Sequence, residues 1–238
     1  MEKIILIFGA GTGIGREIFD VLVHKENDQS LIYGFSRSGQ AYNDAFFPNQ
    51  NHCFDMLKPE NFVYFQNAFH HLIESLTANS KSIELIVYFA QGDGLFKPIE
   101  QIETQELSAH FQLNLFASMA ILKIITPAIQ KLKQSTIVFL SSTAGRLGFS
   151  ESTAYCASKH AVAGLAKALR EEWKPFGTKV VSAYLGAIAT SIWDTRTDFS
   201  KNDMISVKEA GEFLASISYL PQTLYLDEIY VTPRKGIL

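Results

Sequence analysis

Short runs of β-branched and aromatic residues alternate along this chain with longer segments whose apolar positions recur every three or four residues. Ile4–Phe8, Leu31–Phe35, roughly His52–Phe54, Leu85–Ala90, Thr136–Ser141, Val180–Leu185 and Ile229–Thr232 read as strands. Several are nearly continuous in apolar residues, the pattern of strands covered on both faces in a parallel sheet. Ile14, Ile18, Val21 and Leu22 give a core-facing stripe to a helix from Gly13 to about His24. Pro59 stands at a first-turn position, and Phe62, Phe65, Phe69, Leu72, Ile73 and Leu76 continue that helix. The two longest helices are expected from Thr104 to about Ile125 and from Ser152 to Trp173, with another starting near Val207. The fold class that follows is α/β: a doubly wound parallel sheet of about seven strands, helices on both faces, in a single domain over 1–238.

One connection departs from that scheme. Only about fifteen residues, Ser38 to His52, join the second and third strands, and they include Gly39, Pro48 and several Asn. A parallel crossover needs a dozen or more residues, usually helical, so a loop or single turn is expected instead.

Composition narrows the classes. At 47% hydrophobic and 19% charged, the chain reads as a soluble globular protein. A net charge of −3 without blocks of like sign gives no footprint for nucleic acid or an anionic membrane. Cys53 and Cys156 have neither metal-ligand spacing nor a disulfide framework, so no metal site is expected. The N-terminal apolar run is a short strand followed at once by glycines, not a signal peptide, and the apolar runs fall short of a bilayer span. The expected location is the cytoplasm.

Gly9-Ala10-Gly11-Thr12-Gly13-Ile14-Gly15 follows the first strand and opens the first helix. Glycines there permit a tight turn and close backbone approach, and the helix N-terminus offers free N–H groups to a pyrophosphate. The spacing G-x-G-x-x-G fails at Ile14, whereas G-x-x-x-G-x-G fits Gly9, Gly13 and Gly15. Where the second strand ends, Ser36-Arg37-Ser38 carries no carboxylate for a ribose hydroxyl. Arg37 and its flanking hydroxyls suit a 2′-phosphate, which points to NADP(H), with NAD(H) the weaker fit. Further on, Tyr155 and Lys159 are four residues apart, on one face of a helix, and Ser142 precedes the tyrosine by thirteen. A cation over a phenol lowers its pKa from about 10 towards the working range, and a hydroxyl beside it polarises a carbonyl.

With these pieces in this order, the sequence resembles the short-chain dehydrogenase/reductase family in its compact single-domain form, from about Ile4 to Thr190. The family's T-G-x-x-x-G-x-G matches at Gly9, Gly13 and Gly15, with Phe8 in place of Thr. Its adenine-contacting Asp matches Asp55, with Met56 beside it. Its N-N-A-G falls on Tyr88-Phe89-Ala90-Gln91, where only Ala90 agrees. Its tetrad falls on Asn114, Ser142, Tyr155 and Lys159, and its P-G on Leu185-Gly186, followed by Ile188 and Thr190.

The resemblance implies a hydride transfer between nicotinamide and a small carbonyl or alcohol. Tyr155 would act as general acid/base, Lys159 would hold the nicotinamide ribose, and Ser142 would bond the substrate oxygen. Asn114 would bend its helix and hold a water towards Lys159. Gly186, Ile188 and Thr190 would line the nicotinamide. Trp193, Phe149 and Phe96 would wall the substrate, or simply pack; Asp93 and Gly94 could line the mouth. Small residues on the two long helices (Ala109, Ala117 and Ala120; Ala157, Ala161, Gly164 and Ala168) allow a homodimer or homotetramer, or packing within one chain. The alternative function is a catalytically weak NADP(H)-binding sensor or scaffold. An epimerase of the extended branch is disfavoured, because only about fifty residues follow Thr190.

Overall fold

A computed structural model describes residues 2–25, 30–39, 48–78, 82–132, 134–194, 200–221 and 223–236. Its strands are β1 (Glu2–Phe8), β2 (Ser30–Ser36), β3 (Gln50–Cys53), β4 (Ile83–Phe89), β5 (Ser135–Ser142), β6 (Thr178–Leu185) and β7 (Glu228–Val231). All pair in parallel in one sheet of order β3-β2-β1-β4-β5-β6-β7. The order reverses between β1 and β4, which opens a crevice at their C-terminal ends. The helices are α1 (Gly13–Lys25), α2 (Pro59–Ala78), α3 (Thr104–Phe111), α4 (Ala117–Leu132), α5 (Thr153–Glu172) and α6 (Val207–Ala215). Most of the connection between β2 and β3 lies outside the described residues, so the expected loop there is not characterised.

The strict alternation of a strand divides the core into two layers. From β1, Ile4, Leu6 and Phe8 face a layer completed by Phe65 and Phe69 of α2, Ile121 and Ile125 of α4, and Val162 and Ala166 of α5. Ile5 and Ile7 face the other, with Ile18 and Leu22 of α1 and Leu214 of α6. Every residue of β4 and β6 is buried, Glu84, Lys179 and Ser182 included, as in strands covered on both faces.

Strand register places Phe35, Phe8, Phe89 and Phe139 side by side on β2, β1, β4 and β5. Their ring centroids are 4.8, 5.6 and 5.0 Å apart, in stacked geometry. His52 of β3 extends the row, 5.8 Å from Phe35. Removing one such buried ring typically costs about 3–5 kcal/mol.

α3 and α4 form one helix of 29 residues, Thr104–Leu132, interrupted by a π-helical turn at Gln112–Phe116. It extends past the expected end near Ile125, with Pro127 accommodated inside it. Among the described residues it is the one helix long and apolar enough to cross a membrane, at a mean hydropathy of 1.4. In this fold Ile121, Leu122, Ile125, Ala128 and Ile129 press on the sheet, as in a core helix.

Candidate active site

A cavity of about 660 Å³ runs along the C-terminal edge of the sheet, from the end of β2 to the loop after β6. Gly9, Gly11, Thr12, Gly13 and Ile14 line its middle, where α1 begins. Gly9 has φ +96°, and a Cβ on it would stand 2.6 Å from the Gln91 nitrogen. A Cβ on Gly15 would meet the Gly9 carbonyl at 2.4 Å, so Gly15 shapes the turn from beneath without reaching the cavity. The glycine cradle and the free N–H groups of the first turn of α1 fit a pyrophosphate.

Ser36, Arg37 and Ser38 line one end of the cavity, with Arg37 exposed, and Asp55, Met56 and Leu57 lie across from them. The Asp55 Oδ1 accepts from the Leu57 N–H at 3.0 Å, which orders that loop. Asn51, which the sequence motifs do not single out, braces this end. Its Nδ2 donates to the Ser36 hydroxyl at 2.9 Å and to the Ala10 carbonyl at 3.4 Å, joining β3 to the glycine turn.

At the other end the fold brings together Ser142, Tyr155 and Lys159, with Asn114 behind them. Ser142 closes β5 and its Oγ accepts from the Ala144 N–H at 3.1 Å. Tyr155 and Lys159 come from the first two turns of α5, and the Lys159 Nζ lies 5.7 Å from the Tyr155 ring centroid. Lys159 is buried and donates to the Leu140 carbonyl at 3.4 Å. Asn114 sits in the π-helical turn, and its Nδ2 donates to the His110 carbonyl at 3.0 Å. A side chain inserted into the i→i−4 ladder widens a helix in this way. Its Oδ1 accepts from the Asp93 N–H at 3.2 Å, while its Nδ2 reaches the Asp93 carbonyl at 3.3 Å. A Cβ on Gly92 would meet that Oδ1 at 2.7 Å and the Lys159 Nζ at 3.3 Å, so only glycine leaves the two groups this close.

The electrostatics differ from the expectation of a lowered phenol. Burial pushes the Tyr155 phenol above its ordinary value, and its hydrogen bond with Ser142 offsets this only in part. The ammonium at the ring face does not reverse the shift. Burial also lowers Lys159, to about 8. Both groups are driven towards their neutral forms by the same loss of water.

The altered Tyr88–Gln91 segment is held by contacts of its own. The Tyr88 hydroxyl donates to the Leu214 carbonyl and lies 3.1 Å from the Ser218 Oγ, tying β4 to the far layer. Phe89 stacks on Phe8, so the two departures from the family motifs are neighbours. Ala90 lines the cavity, and the Gln91 Nε2 donates to the Ser118 Oγ of α4. Gln91 falls on a motif position, yet a glycine-to-amide departure gives no sign of this bridge.

Gly186, Ile188 and Thr190 line the roof. The Gly186 N–H bonds the Val231 carbonyl at 2.8 Å, and Ile188 bridges to Ile205. Phe96, Phe149 and Trp193 all face the cavity, and the Phe96 ring sits 5.1 Å from the Tyr155 ring. Asp93 lines it too; Gly94 instead seats Phe96, which a Cβ would strike at 2.3 Å. No cluster of three or more His, Cys, Asp or Glu able to hold a metal occurs among the described residues.

The family model for short chain dehydrogenases matches residues 3–201. The chain belongs to the short chain dehydrogenase family. It is 30% identical over 204 residues to the NADPH-dependent 1-acyldihydroxyacetone phosphate reductase of Saccharomyces cerevisiae, matching 82% of this chain and 64% of the yeast enzyme. The chain thus spans somewhat less than two thirds of that relative's length. It is 29% identical over 188 residues to the NADPH-dependent 3-dehydrocapnine reductase of Ornithobacterium rhinotracheale, covering 69% and 66% of the two chains. An alcohol dehydrogenase from the archaeon Thermococcus sibiricus, complexed with 5-hydroxy-NADP, shares the fold with a TM-score of 0.76 at 16% identity, over 100% and 99% of the chains. As a member of this family the protein is an oxidoreductase.

The depressed Lys159 gives a signed pH dependence. Between about 8 and its ordinary 10.5 the folded site has lost a proton that the unfolded chain keeps. Its contribution to stability therefore rises with pH across that window and is lost as pH falls through about 8. Over the same window the cation disappears from the site. The kcat/KM of its oxidoreductase reaction, which reports groups of the free enzyme, should change on the alkaline side with a midpoint near 8. A profile flat to pH 10 would exclude this role for the Lys159 charge.

Proposed function

We propose that this short chain dehydrogenase is an NADP(H)-dependent oxidoreductase of small carbonyl and alcohol substrates, working as a single domain in the cytoplasm. One observation carries the reading: Ser142, Tyr155 and Lys159 line the same cavity as the glycine turn and Arg37. Two NADPH-dependent reductases among its relatives support the cofactor and the reductive direction. Arg37 and the Ser36 and Ser38 hydroxyls hold the 2′-phosphate, the glycine turn the pyrophosphate, and Asp55 with Met56 the adenine side. Ala90, Gly186, Ile188 and Thr190 enclose the nicotinamide side. When bound, the cofactor supplies the hydride.

The chain's own residues manage the oxygen and its proton. Ser142 donates a hydrogen bond to the substrate carbonyl, stabilising the charge that grows on it. Tyr155, kept protonated by burial, gives its proton to that oxygen as the carbon is reduced. Lys159 favours the phenolate left behind and binds the nicotinamide ribose. Asn114 holds the loop at Asp93 against the lysine. Phe96, Phe149 and Trp193 supply an apolar wall, which favours a substrate with a hydrophobic substituent beside the carbonyl.

The outer faces of the long helices support a homodimer or homotetramer. Phe116 and Met119 are 49% and 46% exposed, and Ala157, Gly164 and Ala168 leave a smooth exposed strip on α5.

Three measurements test this reading. Tyr155→Phe should cut carbonyl-dependent NADPH oxidation by about 10²-fold or more, with NADPH binding changed only severalfold; undiminished turnover would sink the mechanism. Arg37→Ala should raise the KM for NADPH about tenfold or more and leave that for NADH nearly unchanged, and equal effects on both would remove the cofactor assignment. Light scattering on a sizing column should show a dimer or tetramer that Phe116→Glu with Met119→Glu reduces to monomer. A monomeric parent would rule the assembly out.

A further inference from the structure

The charged side chains that line the cavity are unevenly placed. Among the described residues there are four: Arg37 and Asp55 at the end assigned to adenosine, Lys159 and Asp93 at the end that holds Ser142 and Tyr155. Lys159 is buried, donates to the Leu140 carbonyl, and serves the nicotinamide ribose in the reading above. Asp93 is exposed where it lines the cavity, and the steps above make no use of its carboxylate. It is the charge that a substrate meets beside the phenol, and its sign is negative.

The loop after β4 fixes that carboxylate. The Asn114 side chain holds both backbone groups of Asp93, at 3.2 and 3.3 Å. The Asp93 Oδ1 accepts from the Gly94 N–H at 2.8 Å, while none of the described residues bonds Oδ2. Gly94 in turn seats Phe96, whose ring stands 5.1 Å from that of Tyr155, edge to face. Phe149 and Trp193 continue an apolar wall at the same end. Burial is the main cause of the raised Tyr155 phenol and the Asp93 charge adds to it, so the carboxylate is felt at the proton donor. A carboxylate with an oxygen to spare, set among aromatic faces, suits an ammonium: it takes charge-assisted hydrogen bonds from the cation, and the rings attract the same charge. A substrate carboxylate or phosphate would instead meet like charge there, with both lining cations given to the cofactor.

We propose that the substrates of this enzyme are amino ketones and, in reverse, amino alcohols: an ammonium beside the carbonyl pairs with the Asp93 carboxylate while an apolar substituent lies on Phe96, Phe149 and Trp193. The proposal rests on the reductase reading and changes none of its bonds. Hydride still goes to the carbonyl carbon and the Tyr155 proton to the oxygen, and the ammonium is left as it was. The pairing also assists that proton transfer, because a cation bound at Asp93 cancels a charge that strengthens the hold on the phenolic proton.

Phenacylamine, propiophenone and benzoylacetate are phenyl ketones that carry, on the carbon beside the carbonyl, an ammonium, a methyl and a carboxylate. With NADPH at neutral pH, kcat/KM should be about tenfold or more higher for phenacylamine than for propiophenone, and lowest for benzoylacetate. Asp93→Asn keeps an acceptor for the Gly94 N–H and removes the charge. It should cut the ratio of phenacylamine to propiophenone about tenfold and raise benzoylacetate relative to both, with the KM for NADPH changed no more than severalfold. A parent enzyme that prefers propiophenone or benzoylacetate, or an Asp93→Asn enzyme that keeps the parent's ratio, would overturn the proposal, as would turnover of other ketones without phenacylamine. If no carbonyl is turned over at all, the reductase reading fails, and calorimetry with NADP present decides the subsite by itself. Phenylethanolamine should then bind the parent about tenfold more tightly than ethyl phenyl carbinol, and Asp93→Asn should erase that margin. Equal binding of the two by the parent would sink the amine subsite too.

Discussion

The C-terminal edge of this sheet is laid on a row of stacked rings. Phe35, Phe8, Phe89 and Phe139 occupy one register line across four adjacent strands. The residues directly after them, Ser36, Gly9, Ala90 and Leu140, all line the cavity. Parallel strands can slip only by moving a whole face, and a row of large rings makes any slip expensive. The backbone of the glycine turn, the loop leading to Asp93 and the strand ending in Ser142 thus inherit their relative heights from the rings beneath them. Phe8 and Phe89 each look like a defect against the family pattern. Together they are a matched pair, because a hydroxyl or amide at either position would be left among aromatic faces without a partner.

Above this floor, lack of water governs the chemistry. Tyr155 is pushed up and Lys159 down, so near neutral pH the phenol holds its proton while the ammonium keeps only a narrow margin of charge. That combination suits the proposed reduction, which consumes the phenolic proton, better than a phenol already weakened by its lysine. Ser142 and the Leu140 carbonyl give the pair its fixed polar contacts, and Asn114 reaches it through the Asp93 loop.

Much of this was legible in the sequence, for identifiable reasons. Strand runs such as Ile4–Phe8 and Leu85–Phe89 are apolar throughout, and all seven strands appear within a few residues of their expected bounds. The glycine spacing and the Tyr155–Lys159 spacing are readable because each depends on local geometry, a turn or one helical rise. What escaped was set by distant neighbours. Asn51, Gln91 and His110 bond partners 15, 27 and 48 residues away, and no local pattern marks them. The long helix runs on to Leu132, past the expected end near Ile125, because packing on the sheet tolerates Pro127 inside it. The Tyr155 shift runs opposite to the expectation because burial is a property of the folded cluster, not of a four-residue spacing.

The π-helical turn at Gln112–Phe116 has a geometric consequence for the whole helix that contains it. Each added residue advances an α-helix by about 100°, so a turn with one residue too many rotates everything downstream by that amount. Upstream of it the helix presents His110 to α5; downstream it presents Ile121, Ile125 and Ile129 to the sheet. The two tasks lie on different phases of one rod, and Asn114 stands at the joint. Deleting a single residue there would not merely shorten the helix. It would swing the apolar stripe off the sheet by roughly a quarter turn, or swing the site side off α5 instead. The length of that turn is therefore as much a part of the site as the side chains it carries.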